Sequence, residues 1–310
     1  MNNSRILWSF GFAVLGLITT AWAADYVLTR AIARSESLAA GRLARLDDPQ
    51  RSSEIPIFGA SKVEANYVPS VLGPQFYNYG LGSASPDVTN MLVATELRNR
   101  SDQPVVIDLG QWAFLDVGDP RNYLLLADRP ETRIMMRRAG IWKWYHAIPG
   151  LRYFGSWDWY VKGLLTDRIA LTKRMDRGFI VNLDEAPWSA DVFARDVKKR
   201  LQTPMQWGLD PRQRRKLVEL VGTAPQRQFV LVLSPLHRSC LARASGEKKF
   251  RDVLRRMEES APNLRIIDMS RSNYPDRYFL NTTHMNQRGA RAFSADLRRE
   301  LVRLKITGTS

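Results

Sequence analysis

Ser61 closes the stretch IPIFGAS, and His284 stands in YFLNTTHMNQRGARAFS near the C-terminus, one of three histidines in the chain. A serine hydroxyl is a weak nucleophile until a neighbouring base takes its proton. A Ser–His pair is the basic unit of acyl-transfer catalysis. Ser61 follows an apolar run and opens a helical pattern, so the first N–H groups of that helix would also face an oxyanion. The other titratable candidates are weaker. His237 lies three residues before Cys240 in PLHRSCLAR, which leaves a Cys–His pair and a chance loop neighbour both open. His146 sits among aromatic residues, where a structural histidine is expected. A single cysteine excludes an internal disulfide and a multi-cysteine metal site.

The elements that must bring Ser61 and His284 together alternate along the chain. EIPIFG, QFYNYGL, QPVVIDLG, QFVLVLSPLH and NLRIIDMS are short apolar runs that read as strands. Between them, SKVEANYVPSVL suits a helix with its proline near the end. SPDVTNMLVATELRNR carries a Ser85 cap and Pro86 at the first helical position. GEKKFRDVLRRMEESA places Phe250, Leu254 and Met257 on one face. The last helix, NQRGARAFSADLRRELVRL, has Ala290, Phe293, Leu297, Leu301 and Leu304 as its inner stripe. Strands separated by helices predict a parallel sheet with right-handed crossovers, and sites in such sheets form at the C-terminal strand ends. The stretch 111–226 breaks the rhythm. It holds most of the nine tryptophans and reads as a long, mainly helical insertion.

At the N-terminus, Ile6–Ala24 carries no charge and is nearly long enough for a bilayer core of about 30 Å. The run exceeds a usual signal-peptide apolar segment, although AWA at 21–23 resembles a cleavage site, so an uncleaved signal anchor is expected. Arg30, Arg34, Arg42 and Arg45 follow it and argue by charge against an outside C-terminal domain. The expected domains are an anchor at 1–29, a helical stalk and linker at 30–54, and an α/β domain at 55–306 with the insertion at 111–226. The net charge of +15 is scattered in small clusters such as Lys198-Lys199-Arg200, with no RNP-like motif and no zinc-finger spacing. Solvated faces beside a membrane explain it, and nucleic acid is not an expected partner.

Three blocks carry a resemblance. Gly59-Ala60-Ser61 ends the first strand, NYGLGSAS follows the second, and Asn281-Thr282-Thr283-His284 precedes Asn286 and Gly289. Their order resembles the SGNH (GDSL-like) hydrolase superfamily, and more closely its membrane-anchored envelope branch of DltD-like and alginate-acetylation proteins. The resemblance covers Ile55–Gly110 and Gln228–Leu304 and leaves the Trp-rich middle aside. It implies a three-layer, flavodoxin-like α/β fold, with Ser61 as nucleophile, His284 as general base, and oxyanion donors at Ser61, Gly82 and Ser83. Two departures stand out. Asn281 occupies the position of the family's acid, which leaves Asp268, or else Asp276, as a substitute carboxylate. No Gly-x-Asn-Asp block follows the third strand, where VIDLGQW stands with Asp108 near the strand end.

The resemblance further implies a serine esterase or O-acyltransferase acting on an envelope or exported polysaccharide, with no metal and no cofactor. A membrane-bound O-acyltransferase would be its partner. The domain would lie outside the inner (cytoplasmic) membrane of a bacterium, on the periplasmic side of a single-pass anchor. The alternative is a catalytically impaired relative that binds or assembles components of a polysaccharide acylation system.

Overall fold

The computed structural model describes residues 3–35, 39–47, 53–82, 84–98, 102–109, 120–169, 175–180, 190–202, 205–242 and 244–306. The chain divides into two compact units, one made of Met1–Arg45 with Asp119–Leu171, the other of Leu46–Gly118 with Thr172–Ser310.

The second unit is α/β. Its five-stranded parallel sheet comprises β1 (Ile55–Phe58), β2 (Phe76–Asn78), β3 (Val105–Asp108), β4 (Phe229–Leu233) and β5 (Leu264–Asp268). The strands lie in the order β2-β1-β3-β4-β5, all parallel, with Ile55 opposite Phe76, Ile57 opposite Val106, Val105 opposite Phe229 and Phe229 opposite Leu264. Every residue of β1, β3 and β4 is buried, because crossover helices cover both faces of a parallel sheet. That is why these strands read as continuous apolar runs. β5, at one edge, alternates, burying Leu264 and Ile267 and exposing Arg265 and Asp268. The winding reverses between β1 and β3, and in parallel sheets of this kind such a reversal leaves a crevice at the C-terminal strand ends.

The expected helix after β1 is two helices, Ser61–Asn66 and Pro69–Leu72. A residue before proline is pushed out of the helical region, and Val68 is extended (φ −98°, ψ 101°), so Pro69 starts a helix rather than ending one. Pro86–Arg98 begins as expected, with Ser85 Oγ accepting from Val88 N at 3.4 Å. It is pinned by a buried ion pair, Arg227 to Glu96 at 2.9 Å. Glu247–Ser260 buries Phe250, Leu254 and Met257, and Gln287–Arg303 buries Ala290, Phe293, Leu297 and Leu301. Phe293 meets Tyr67 edge-on at 5.0 Å, joining the last helix to the turn after Ser61–Asn66.

The first unit is helical. Asn3–Ala33 is one unbroken helix, of which Trp8–Ala33 has a mean hydropathy of 1.5. At about 1.5 Å per residue it is long and apolar enough to cross a membrane. The stalk predicted to continue this helix does not form as one piece. The helix ends at Ala33, and Ala39–Ala44 packs against residues 120–126, burying Ala40 and Leu43. Of the described tryptophan-rich stretch, residues 120–169 belong to this unit. Helix Trp157–Ile169 packs on the long helix, and Tyr153 Oη meets Thr29 Oγ1 at 2.8 Å.

Candidate active site

The turn leaving β1 is shaped by Gly59. Its φ of +156° disfavours any side chain, and a Cβ there would lie 2.5 Å from Val63 Cγ2. Ala60 then caps the short helix without a side-chain bond, and Val63 N and Glu64 N both reach Ala60 O. Ser61 and Lys62 therefore precede the helix's first internal hydrogen bonds. Asn78, fully buried at the end of β2, clamps this helix from the side. Its Nδ2 donates to Val63 O at 2.7 Å and Tyr67 O at 2.9 Å, while its Oδ1 accepts from Gly80 N at 2.9 Å.

His284 comes from the loop before the last helix. Leu280 N donates to His284 O at 2.9 Å, Met285 N to Asn66 Oδ1 at 2.9 Å, and Asn286 N to Tyr278 O at 3.0 Å. Asn286 caps the helix by accepting from Gly289 N at 3.0 Å, and only glycine fits there, because a Cβ would meet the Tyr278 carbonyl oxygen at 2.1 Å. The bond to Asn66 ties this loop to the helix of Ser61. The result is direct: His284 Nε2 lies 2.8 Å from Ser61 Oγ.

Asn281 faces the other ring nitrogen. Its Oδ1 accepts from Thr283 N and His284 N, each at 2.9 Å, and from Thr283 Oγ1 at 3.0 Å. Backbone N–H groups only donate, so the atom they hold is the amide oxygen. That same oxygen stands 3.1 Å from His284 Nδ1. Nδ1 therefore carries the proton, and Nε2 keeps a lone pair for the Ser61 hydroxyl. The loop fixes the tautomer a general base needs without a carboxylate.

The charges around this pair are mostly positive. Lys62 is buried at 7% exposure. Burial pulls its pKa down, the nearby Asp108 carboxylate and Cys240 oppose that, and Arg200 reinforces it. Arg200 comes from helix Ala190–Gln202 and donates Nε to Thr282 Oγ1 at 3.3 Å, while Asp196 of the same helix accepts from Thr282 N at 2.7 Å. His284 is held down to about 4, first by burial, then by the Lys62 charge and more weakly by Arg200, with Asp196 opposing. Behind Lys62, Tyr67 Oη donates to Asp108 Oδ2 at 2.5 Å.

The remaining sequence candidates lie elsewhere. Asp268 binds Arg251 and accepts from Ser270 Oγ at 2.7 Å. Asp276 faces His237 Nε2 at 3.2 Å and Arg238 at 2.9 Å. Neither carboxylate is among the partners of His284. Gly82 follows the clamped turn beside Glu64, and Ser83 and residues 110–119 fall outside the described residues. The Cys240 thiol donates to Thr282 O at 3.3 Å and does not meet the His237 ring, whose Nδ1 instead meets Ser239 Oγ at 2.8 Å; the two residues share only a backbone bond, Cys240 N to His237 O at 2.8 Å. His146 accepts from Lys143 N at 3.2 Å within an aromatic cluster, as a structural histidine does. Lys62 and Asp196 were not singled out by the sequence, and Arg200 was marked only within the basic cluster Lys198-Lys199-Arg200; only the adjacency of Lys62 to Ser61 could have tied one of them to the site. No protein-family model matches the chain, and no curated protein matches it.

Proposed function

We propose that the protein is a membrane-anchored, SGNH-like serine esterase or O-acyltransferase that handles acyl groups on a cell-envelope or exported polysaccharide. The observation that carries the reading is the line from Asn281 Oδ1 through His284 to Ser61 Oγ, with links of 3.1 and 2.8 Å. In this reading Ser61 Oγ attacks the acyl carbonyl carbon while its proton passes to His284 Nε2. The tetrahedral oxyanion is met by the N–H groups of Ser61 and Gly82. On collapse the ester's alcohol oxygen leaves with the proton from His284, and the acyl group remains on Ser61. Water or a sugar hydroxyl then gives its proton to His284 and attacks the acyl carbon, and on collapse the C–Oγ bond breaks while His284 Nε2 returns the proton to Ser61 Oγ. The choice between water and sugar separates esterase from transferase. Asn281 orients the imidazole throughout but adds no negative charge to steady its protonated form.

The spanning N-terminal helix fits a single-pass anchor in the inner membrane of a bacterium, with the α/β unit on the periplasmic side. The SGNH-like blocks suggest a membrane-bound O-acyltransferase as the source of acyl groups. A second reading, a binding or assembly protein of the same system, is favoured by one specific observation: the amide of Asn281 stands where a carboxylate would strengthen the base. The test is a fluorophosphonate probe applied to the full-length chain. Labelling that Ser61→Ala removes supports the enzyme. A folded protein that takes no label on Ser61 overturns it in favour of the binding reading.

A further inference from the structure

We propose that Asp196, carried by helix Ala190–Gln202, is a positioning residue of the Ser61–His284 pair: it holds the His284 loop through the Thr282 N–H and supplies the negative charge that the amide of Asn281 does not. The inference rests on the acyl-transfer reading for what His284 does, while the tether stands on its own geometry.

The His284 loop satisfies most of its backbone locally. Leu280 N and Asn281 N donate to His284 O at 2.9 and 3.3 Å, Thr283 N and His284 N donate to Asn281 Oδ1, and Asn286 N donates to Tyr278 O. Two N–H groups between 280 and 286 reach distant elements. Met285 N goes to Asn66 Oδ1 on the helix of Ser61, and Thr282 N goes to Asp196 Oδ2 at 2.7 Å. These two tethers fix the loop from opposite ends of the sequence. Thr282 is 1% exposed, so water is not at hand to replace the carboxylate on its N–H. Its other polar atoms are engaged as well. Oγ1 accepts from Arg200 Nε at 3.3 Å, and the carbonyl oxygen accepts from His237 N and Cys240 Sγ, each at 3.3 Å.

The helix that delivers Asp196 is oriented by an apolar anchor. Phe193, Asp196 and Arg200 stand at i, i+3 and i+7, on one face. Phe193 is 5% exposed and meets the His237 ring edge-on at 5.0 Å, which turns Asp196 and Arg200 towards Thr282. The tether alone needs only an oxygen, which an amide also offers. The carboxylate adds charge. Lys62 of helix Ser61–Asn66 and Arg200 disfavour a proton on His284, whereas Asp196 favours it and outweighs Arg200. When His284 takes the Ser61 proton, Asp196 is therefore the carboxylate that steadies the imidazolium, from a different helix than the residue three before the histidine.

The test uses the full chain in neutral detergent, with the His284 ring signal of histidine-labelled protein assigned against His284→Gln. Asp196→Asn keeps an oxygen for the Thr282 N–H and removes the charge. It should lower the His284 pKa below its native value of about 4. Mere loosening of the loop would do the opposite and return the ring towards about 6.5. Fluorophosphonate labelling of Ser61 near neutral pH should slow about tenfold, and kcat for an acetyl ester should fall with it. KM should stay, because Asp196 acts through the loop and not on the substrate. Asp196→Ala loses the tether too and should slow labelling about 10²-fold, with faster hydrogen exchange at Thr282 N, and Asp196→Glu should recover part of the rate. The gain from Asn281→Asp should be larger in Asp196→Asn than in the native chain, since one carboxylate then replaces the other. A His284 pKa that does not fall in Asp196→Asn, or labelling as fast in Asp196→Ala as in the native chain, overturns the proposal. A pKa that falls as expected in a protein whose Ser61 takes no fluorophosphonate keeps the place of Asp196 and removes the acyl-transfer reading.

Discussion

The two units treat their large apolar side chains in opposite ways. In the α/β unit β1, β3 and β4 hide every residue, and the buried set runs from Ile55 through Phe293 to Leu301. In the helical unit Trp22 of the long apolar helix stays exposed, as do Trp144, Phe154 and Leu165. The α/β unit keeps its apolar groups inside and spreads exposed charges such as Arg238, Arg255 and Arg299 over its surface. The helical unit presents a surface that only a non-aqueous medium or a partner would cover, since water-facing apolar patches of this kind mark interaction surfaces. The Ser–His pair thus sits in the unit with the sheet core, and the exposed aromatics sit in the unit whose helix is long and apolar enough to cross a membrane.

The largest expected effect lies in the α/β unit. Ser61→Ala should abolish fluorophosphonate labelling completely while leaving the melting transition in place, since Ser61 makes no core contact that the fold depends on. Label persisting at another residue would break the assignment of chemistry to this crevice. Next is the buried ion pair. Glu96→Ala leaves Arg227, 2% exposed, without its carboxylate, and should cost about 3–5 kcal/mol of unfolding free energy. Denaturant titration of the full chain in detergent measures it. A loss under about 1 kcal/mol, as for a surface pair, would show that this part of the unit is open to water.

Asn281 sharpens the comparison further, because its effect should be purely chemical. In serine proteases an amide in the acid's place costs about 10⁴ in turnover, since it imposes the wrong imidazole tautomer. Here the amide oxygen already faces Nδ1, so Asn281→Asp adds only charge. Stabilising the imidazolium by one charge-assisted hydrogen bond predicts a gain of about 10- to 100-fold in turnover. Asn281→Ala releases the ring and should lower turnover by about 10²-fold or more. Equal turnover in all three would place His284 outside the reaction.

The pH dependence follows from the same residue. An ordinary histidine titrates near 6.5, whereas His284 is held at about 4. The unfolded chain therefore binds a proton that the folded chain refuses between those values. The stabilisation from burying His284 uncharged is complete above about 6.5 and is lost as the pH falls towards about 4. Unfolding free energy should decline across that window, and His284→Phe should flatten the decline. The acid limb of kcat/KM, which reports the free enzyme, should lie nearer 4 than 6.5.

Much of the α/β unit was legible because its signals are local. Strands buried on both faces read as apolar runs, Ser85-Pro86 announces a helix start, and Asn286 with Gly289 frames the helix behind His284. Ser61 and His284 could be paired because Ser61 directly follows the first strand and His284 lies in the loop after the last strand of one parallel sheet. What was not legible depends on residues distant in sequence. Asp276 turns to His237 because the loop after β4 lies beside it, which no spacing reveals. Asp196 and Arg200 reach the crevice from a stretch that reads only as an insertion. The stalk dissolves into two helices because residues 120–126, far along the chain, offer Ala39–Ala44 a surface to bury.

The smallest expected effect is the one that tests the helical unit most directly. Trp144, Phe154 and Val302 are comparably exposed, at 70%, 64% and 53%, yet the first two belong to the helical unit and the third to the α/β unit. If exposure in the helical unit means lipid, equal exposure should produce unequal environments. Spin labels on Trp144→Cys, Phe154→Cys and Val302→Cys, each with Cys240→Ser, report this in bilayers through collisions with oxygen, which concentrates in lipid, and with a water-soluble nickel chelate. The labels at 144 and 154 should favour oxygen and the label at 302 the chelate, with little change in Ser61 labelling by the fluorophosphonate. Tryptophan sits well at a membrane interface because its ring can be buried there while its indole N–H meets water, and phenylalanine is purely apolar. Should all three labels meet the chelate alike, the exposed aromatics do not face lipid, and the long helix alone must account for anchoring.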